Sequence, residues 1–176
     1  MASLARPGGN ITGLSNMGAE TGGKCLELFR DMLPSLRRVG VLANPVDPFT
    51  KSIVEQVQLA GRTAGIEIAP IVMVRGLDEV ETAFSAMTRD RADALVAPGI
   101  FFAKAIADLA IKYRLPSASV LRSFADAGGL MSYGADIPHM YRRSAVFIHK
   151  MLQGVKPAEL PVEQSTKFEL VINPIA

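Results

Sequence analysis

The sequence predicts an α/β fold of three layers, in which helices cover both faces of an open, mainly parallel sheet. After residue 22, short apolar runs alternate with segments whose apolar residues recur at helical spacing. The apolar runs carry almost no charge, which is typical of parallel strands that are buried on both faces. The chain of 176 residues, 49% hydrophobic and 20% charged, has the length and apolar content of one folded domain.

The first helix and the first strand are predicted from apolar spacing and from the residues that follow them. Residues 24–33 place their apolar side chains on one helical face, and Pro34 ends the pattern. Residues 39–43 are apolar and stop at Asn44, which is typical of a buried strand that meets a turn.

The second helix and strand follow directly. Asp47 is predicted to cap the helix and Pro48 to occupy its first position, because an acidic cap followed by proline is a common helix start. Gly65 ends this helix, and residues 66–74 form the second strand.

The same alternation continues to residue 133, and the tail differs from it. Helices are predicted where apolar residues recur three or four positions apart, at residues 77–89, 101–114 and 122–127. Strands are predicted at the short apolar runs of residues 94–97, 116–120 and 130–133. The tail contains a helix at 138–153, an extended segment at 157–164 and a final strand at 168–172.

Charge, cysteine content and hydropathy exclude several classes of protein. Lys and Arg number 19 against 17 Asp and Glu, and they are scattered, so no nucleic-acid-binding surface is expected. The single cysteine, Cys25, excludes disulfide frameworks, and its apolar neighbours predict a buried thiol. The longest uncharged stretch, residues 7–19, is shorter than the about 20 apolar residues that span a membrane.

The segment from Gly18 to Cys25 matches a phosphate-binding loop in its first seven positions. The eighth position requires Ser or Thr, because that hydroxyl holds Mg²⁺, and Cys25 cannot replace it. Glu20 would also place a carboxylate among the phosphates. The dinucleotide-binding glycine pattern and the nucleophile elbow are absent from the sequence. We therefore expect no enzymatic activity, no cofactor and no metal site.

A ligand site is expected at the edge where the parallel strands end, because loops and helix N termini converge there. Aromatic rings, an amide and hydroxyls at this edge suit a small polar or aromatic solute. The candidate ligand-binding residues are Asn44, Asp47, Phe49, Thr50, Pro98, Gly99, Phe101, Phe102, Ser123, Phe124 and Tyr133. Any one of Phe101, Phe102 and Phe124 is equally compatible with a place in the core.

Segments in three parts of the chain together resemble a known family. They are RPGGNITGLS at residues 6–15, GGLMSYG at 128–134, and GVKPAELPVEQ with KFELVIN at 154–164 and 167–173. In this order and spacing they resemble the substrate-binding proteins of ABC transporters that have a type I periplasmic-binding fold, and the resemblance covers essentially the whole chain. It implies a Rossmann-like lobe.

In that family, two similar lobes are joined by three crossings, and the solute binds between them. The resemblance implies that residues 1–176 form the second lobe without the first, and that the helix at 138–153 packs on the absent lobe. It implies crossings near residues 10–15, 130–136 and 161–166. The chain shows no signal peptide, and the family continues beyond the position where this chain ends.

The function implied by the resemblance is solute capture without chemistry. The solute enters between the lobes, the hinge closes, and the closed form docks on a membrane permease, in the periplasm or at the extracellular face of the membrane. Asn44, Asp47, Phe101 and Phe102 are the leading candidates for this lobe's half of the site. Such a fragment is expected to bind solute weakly, because half of the contacts are missing.

An exposed helix face leads us to expect a homodimer. Without the first lobe, Met140, Phe147, Ile148 and Met151 are predicted to form an apolar stripe, which favours self-association. Two other functions stay open. A ligand-sensing domain of a transcriptional regulator has the same fold and would follow a helix-turn-helix segment. A nucleotide-dependent enzyme with a doubly wound sheet would respond to ATP or NAD in a thermal-shift screen.

Overall fold

The structure is a computed structural model that describes residues 3–97 and 102–174. The chain divides into two units. The larger contains Gly18–Gly134 with Glu169–Ala176, and the smaller contains Met1–Met17 with Ala135–Phe168. The chain therefore passes from one unit to the other after residues 17, 134 and 168.

The described residues form eight strands and six α-helices. The strands are β1 (Leu14–Ser15), β2 (Arg38–Ala43), β3 (Glu67–Met73), β4 (Ala94–Val96), β5 (Ser117–Ser119), β6 (Met131–Ala135), β7 (Glu163–Gln164) and β8 (Phe168–Ile172). The helices are α1 (Gly18–Met32), α2 (Thr50–Ala64), α3 (Val80–Arg89), α4 (Ala103–Lys112), α5 (Arg122–Asp126) and α6 (Ile137–Leu152). Short 3₁₀ helices cover Leu77–Glu79 and Pro157–Glu159.

The larger unit is built on a six-stranded sheet with the order β3-β2-β4-β5-β6-β8. The strand β2 is parallel to both β3 and β4, and parallel pairing continues from β4 through β5 to β6. This arrangement confirms the prediction of an open, mainly parallel sheet in an α/β fold.

Two apolar cores lie on the two faces of this sheet. The first core contains Phe29 of α1 and Val41 of β2, and the second contains Phe84 of α3 and Leu42 of β2. Successive side chains of a strand point to opposite faces, so β2 contributes to both cores. Cys25 lies fully buried in the first core, as predicted, and burial raises the pKa of its thiol to about 12.

Some element boundaries differ from the sequence prediction for local reasons. The helix α2 begins at Thr50 rather than at the predicted Pro48. The Asp47 carboxylate, which was predicted to cap the helix, accepts a hydrogen bond from the Phe49 amide at 2.9 Å and closes a turn before it. The predicted helix at 77–89 is divided into a 3₁₀ turn and α3. The segment predicted to be extended at 157–164 begins with a 3₁₀ helix.

The smaller unit pairs two short strands and contains α6. The strands β1 and β7 run parallel, with Leu14 opposite Glu163, so parts of the first and third predicted crossings lie side by side. Asp136 caps α6 by accepting a hydrogen bond from the His139 amide at 2.7 Å. Arg143 of α6 donates to both carboxylate oxygens of Glu163, each at 2.7 Å, and thereby ties the helix to the strand pair.

Of the exposed large apolar side chains of α6, only Ile148 belongs to the predicted stripe. Tyr141, Ile148 and Leu152 are 74%, 53% and 83% exposed. Their spacings of seven and four residues place them on one helical face. Phe147, which was predicted to lie on the exposed stripe, is covered and only 6% exposed. The predicted stripe is therefore wrong at Phe147, and the exposed apolar face is shifted around the helix.

The Arg143–Glu163 ion pair makes stability depend on pH under acidic conditions. Hydrogen bonding to Arg143 and the charge of its guanidinium lower the pKa of Glu163 below its ordinary value of about 4.3. A lowered pKa in the folded state means that the ion pair stabilises the fold above the unfolded-state pKa. This contribution is lost as the pH falls through the folded-state pKa. We expect E163Q to lower the free energy of unfolding by about 0.5–1 kcal/mol at pH 7 and by less at about pH 3, where protonation of Glu163 weakens the ion pair.

Urea unfolding of both proteins at the two pH values measures this difference. E159Q is the matched control, because Glu159 lies in the same unit and its carboxylate forms no ion pair within the described residues. A loss of equal size at both pH values contradicts the electrostatic explanation.

Candidate functional site

The direction of the chain connections reverses between β2 and β4. The strand β2 leads through α2 to β3 on one side, and β3 leads through α3 to β4 on the other side of β2. Such a reversal opens a crevice at the carboxyl ends of the two strands, which is the usual ligand site of open α/β sheets. A cavity of about 20 Å³ lies there.

Among the described residues, the lining of the cavity is apolar apart from one amide side chain. The cavity is lined by Leu42, Ala43, Asn44, Val74, Ala97, Phe102 and Ile106. These residues come from the ends of β2, β3 and β4 and from the start of α4, so the sheet order brings distant segments together. The cavity has room for about one water molecule, so a larger solute must extend beyond it or displace its walls.

Asn44 organises the loop that follows β2. It is 8% exposed, and its Oδ1 accepts a hydrogen bond from the Val46 amide at 2.9 Å. The Thr50 hydroxyl donates to the backbone carbonyl of Asn44, and the Asp47 carboxylate accepts from the Phe49 amide. The four predicted residues of this loop therefore lie together, and hydrogen bonds within the loop hold it in shape.

Phe102 lies at the other side of the cavity, immediately before α4. Its φ of 58° is left-handed, and its ring packs half-buried against the second core. Residues other than glycine rarely adopt this conformation, and such strain concentrates at functional sites. The other predicted residues of this loop, Pro98, Gly99 and Phe101, lie outside the described residues.

Within the described residues, four large apolar side chains are exposed at this edge, and only Phe49 is among the predicted ligand-binding residues. Val46 and Phe49, in the loop after β2, are 74% and 69% exposed. Met73 at the end of β3 and Leu77 beyond it are 44% and 57% exposed. Val46, Met73 and Leu77 could have been found from the sequence, because they are large apolar residues at the end of a strand or in the turns that follow one. Grouped exposure of this kind marks an interaction surface.

The remaining predicted residues do not line the cavity. Phe124 is 1% exposed and packs in the second core, whereas Ser123 is exposed. Tyr133 is half-buried against the first core, on the opposite face of the sheet from Phe102. Ser123 and Phe124 belong to α5, and Tyr133 belongs to β6. Both elements follow β5 in the chain, and β6 lies on the other side of β5 from β4 in the sheet.

The segment that resembles a phosphate-binding loop is helical. The helix α1 begins at Gly18, whereas a phosphate-binding loop requires a turn before the helix to cradle the anion. Within residues 3–97 and 102–174, no three His, Cys, Asp or Glu side chains are placed to hold a metal ion. None of the helices in the described part of the chain combines the length and apolar character that crossing a membrane requires.

A family model matches the full length of the sequence. The model is described as ABC transporter substrate binding protein, and it covers residues 1–176. A comparison with curated proteins found no match.

Solved structures from several bacteria have the same fold. A conserved domain protein from Vibrio cholerae gives a TM-score of 0.86 at 24% identity, over 97% of this chain and 57% of that protein. An ABC domain in complex with L-Trp from Streptococcus pneumoniae gives 0.82 at 24% identity, over 98% and 60%. A LacI family transcriptional regulator from Bifidobacterium animalis gives 0.73 at 14% identity, over 92% and 62%. The chain thus spans less than two thirds of each of these proteins.

Proposed function

The chain belongs to the ABC transporter substrate-binding protein family, and we propose that it is one lobe of the solute-binding component of an ABC-type uptake transporter. The observation that carries this proposal is the cavity at the reversal of the sheet, where Asn44 and Phe102 meet. The proposed solute is small and either amino-acid-like or aromatic, and it is captured without chemical change.

The groups around the cavity favour this class of solute. The Asn44 oxygen already accepts the Val46 amide, so its NH₂ group is the part that can donate to a solute carboxylate. Phe49 and Phe102 offer aromatic surface for stacking. The N termini of α2 and α4 follow the loops at this edge and stabilise negative charge. The L-Trp bound in the pneumococcal structure adds support for an aromatic amino acid.

The exposed apolar side chains at this edge support a site of two halves. Val46, Phe49, Met73 and Leu77 would be covered by a facing lobe when the cleft closes around the solute. In this proposal, the paired strands β1 and β7 form part of the hinge, and the closed protein docks on the permease. The protein acts in the periplasm or at the extracellular face of the membrane. The lobe expressed alone forms a homodimer.

A ligand-sensing domain of a transcriptional regulator is the second candidate, because the LacI family structure has the same fold. The family match favours transport over regulation. A helix-turn-helix segment in the whole protein would instead favour regulation.

A thermal-shift screen of the chain tests the proposal. We expect L-Trp to raise the unfolding midpoint by about 3 °C at a concentration of about ten times its Kd. ATP, NAD and glucose at the same concentration are expected to leave the midpoint unchanged. Differential scanning calorimetry is suitable, because it does not depend on the fluorescence of the ligand.

Two variants with exposed apolar side chains locate the binding. F49A is expected to reduce the shift, since Phe49 lies at the proposed site and is 69% exposed. I111A is the matched control, because Ile111 is 51% exposed near the end of α4 and does not line the cavity. The absence of any shift with aromatic and aliphatic amino acids would refute the proposed solute class.

A further inference from the structure

Ser119 carries a buried hydroxyl that has no hydrogen-bond partner among the described residues. The residue is 0% exposed and occupies the last position of β5. Burying a hydroxyl without a partner costs stability, so a serine at such a place calls for another role.

The register of the sheet places Ser119 beside the cavity. Val96 of β4 pairs with Ala118 of β5, so Ala97, which lines the cavity, lies opposite Ser119. Ala118 belongs to the first core, and Ala97 and Phe102 belong to the second. Because side chains alternate along a strand, the Ser119 side chain lies on the same face as Ala97 and Phe102. Neighbouring strands are about 4.8 Å apart, so a group that lies over the Ala97 methyl is next to this hydroxyl.

We propose that the Ser119 hydroxyl determines solute specificity by accepting a hydrogen bond from the ring N–H of an indole-bearing amino acid. This inference rests on the proposed function, because it requires the solute to bind at the cavity. The walls formed by Leu42, Val74 and Ile106 are hydrocarbon and suit the ring itself. A solute that inserts its ring between these walls brings the N–H to Ser119. A site built for such a bond rejects an analogue that lacks the donor, because the buried acceptor then stays unpaired.

Ser117 provides an internal comparison. It lies two residues earlier on the same strand face and is 2% exposed. Its hydroxyl oxygen accepts a hydrogen bond from the Leu130 amide at 3.5 Å, so its polar group has a structural use. Ser119 has no comparable bond among the described residues, and it lies nearer the carboxyl edge of the sheet.

The test compares L-Trp with 3-benzothienyl-L-alanine, in which sulfur replaces the indole N–H at nearly constant ring size. Each is titrated into the ¹⁵N-labelled 176-residue chain, and Kd values are fitted from amide chemical-shift changes, which also measure millimolar affinities. We expect the wild-type chain to prefer L-Trp by about fivefold. S119A is expected to reduce this ratio to about one, whereas S117A is expected to retain it.

Thermal unfolding without ligand supplies a second measurement. S119A is expected to leave the midpoint unchanged or to raise it, because it removes an unpaired polar group, whereas S117A is expected to lower it. A full preference for L-Trp in S119A would overturn the inference and leave the proposed function standing. A lower midpoint for S119A than for S117A would also overturn it, since the hydroxyl would then have a structural partner. Failure of the wild-type chain to bind either compound would refute the proposed solute class together with the inference.

Discussion

Replacing Gly134 with alanine is expected to lower the free energy of unfolding by more than about 3 kcal/mol, or to prevent folding. Gly134 is buried in β6. A Cβ atom added there would lie 1.8 Å from the carbonyl oxygen of Val120 and 2.9 Å from its carbonyl carbon. Both atoms belong to the backbone, so no side-chain rotation can relieve the overlap and the chain itself must shift. Gly134 is the last residue of the GGLMSYG segment, and the close approach of the Val120 backbone explains why glycine is needed at this position of the segment.

Urea unfolding followed by circular dichroism measures the loss. G13A is the matched control, because a Cβ at Gly13 meets no atom within 4 Å and the residue has no positive φ. It is expected to change the free energy of unfolding by less than about 0.5 kcal/mol. A G134A protein with wild-type stability would mean that β6 can move away from Val120 at little cost, and would contradict the close approach of the two backbones.

The isolated chain is expected to be a homodimer in solution, with twice the 18.8 kDa mass of one chain. The exposed face of α6 is the proposed contact, because Tyr141, Ile148 and Leu152 form one apolar line along the helix. Exposed apolar patches of this kind favour self-association. The helix also carries Arg142 and Lys150 and no acidic residue, so two copies repel each other electrostatically. Dimerisation is therefore expected to strengthen as salt rises from about 0.05 to about 0.5 M.

Light scattering at micromolar protein concentration measures the mass. L152E places a charge on the apolar line and is expected to give a monomer. L59E is the matched control, because Leu59 is 50% exposed on α2 in the larger unit and should leave the mass unchanged. A wild-type monomer at both salt concentrations would count against the dimer, and a dimeric L152E would exclude α6 as its contact.

Helices and strands were predictable wherever their signals are local. Residues 168–172 were predicted to be a strand with the observed bounds, and Gly65 was predicted to end α2, which it does in the left-handed conformation with φ of 70°. The start of α2 was misplaced because the Asp47 carboxylate closes a turn instead of capping the helix. An aspartate accepts either hydrogen bond equally well, so its presence in the sequence does not distinguish the two structures. The predicted helix at 77–89 was also divided, because Leu77–Glu79 adopts 3₁₀ geometry before α3 begins.

The candidate site was predictable in part. Asn44 and Phe102 were named because each lies in a loop that follows a strand, and both line the cavity. Phe124 satisfied the same sequence criterion, but its ring packs beside Gly129, where a Cβ would come within 2.1 Å of it, and it belongs to the core. Sequence position does not distinguish a ring that turns inward from one that faces the edge, because that depends on the helix packed above it.

The sequence by itself determined the family and the alternation of strands and helices, and it predicted an edge for ligand binding, because these depend on neighbouring residues and on short segments. The tertiary structure decided which loops meet. The order β3-β2-β4 places the ends of β2 and β4 side by side, and the register between β4 and β5 sets Ser119 against Ala97. These pairings are made by hydrogen bonds between residues far apart in the chain, and hydrophobic periodicity carries no information about which strand becomes the neighbour of which.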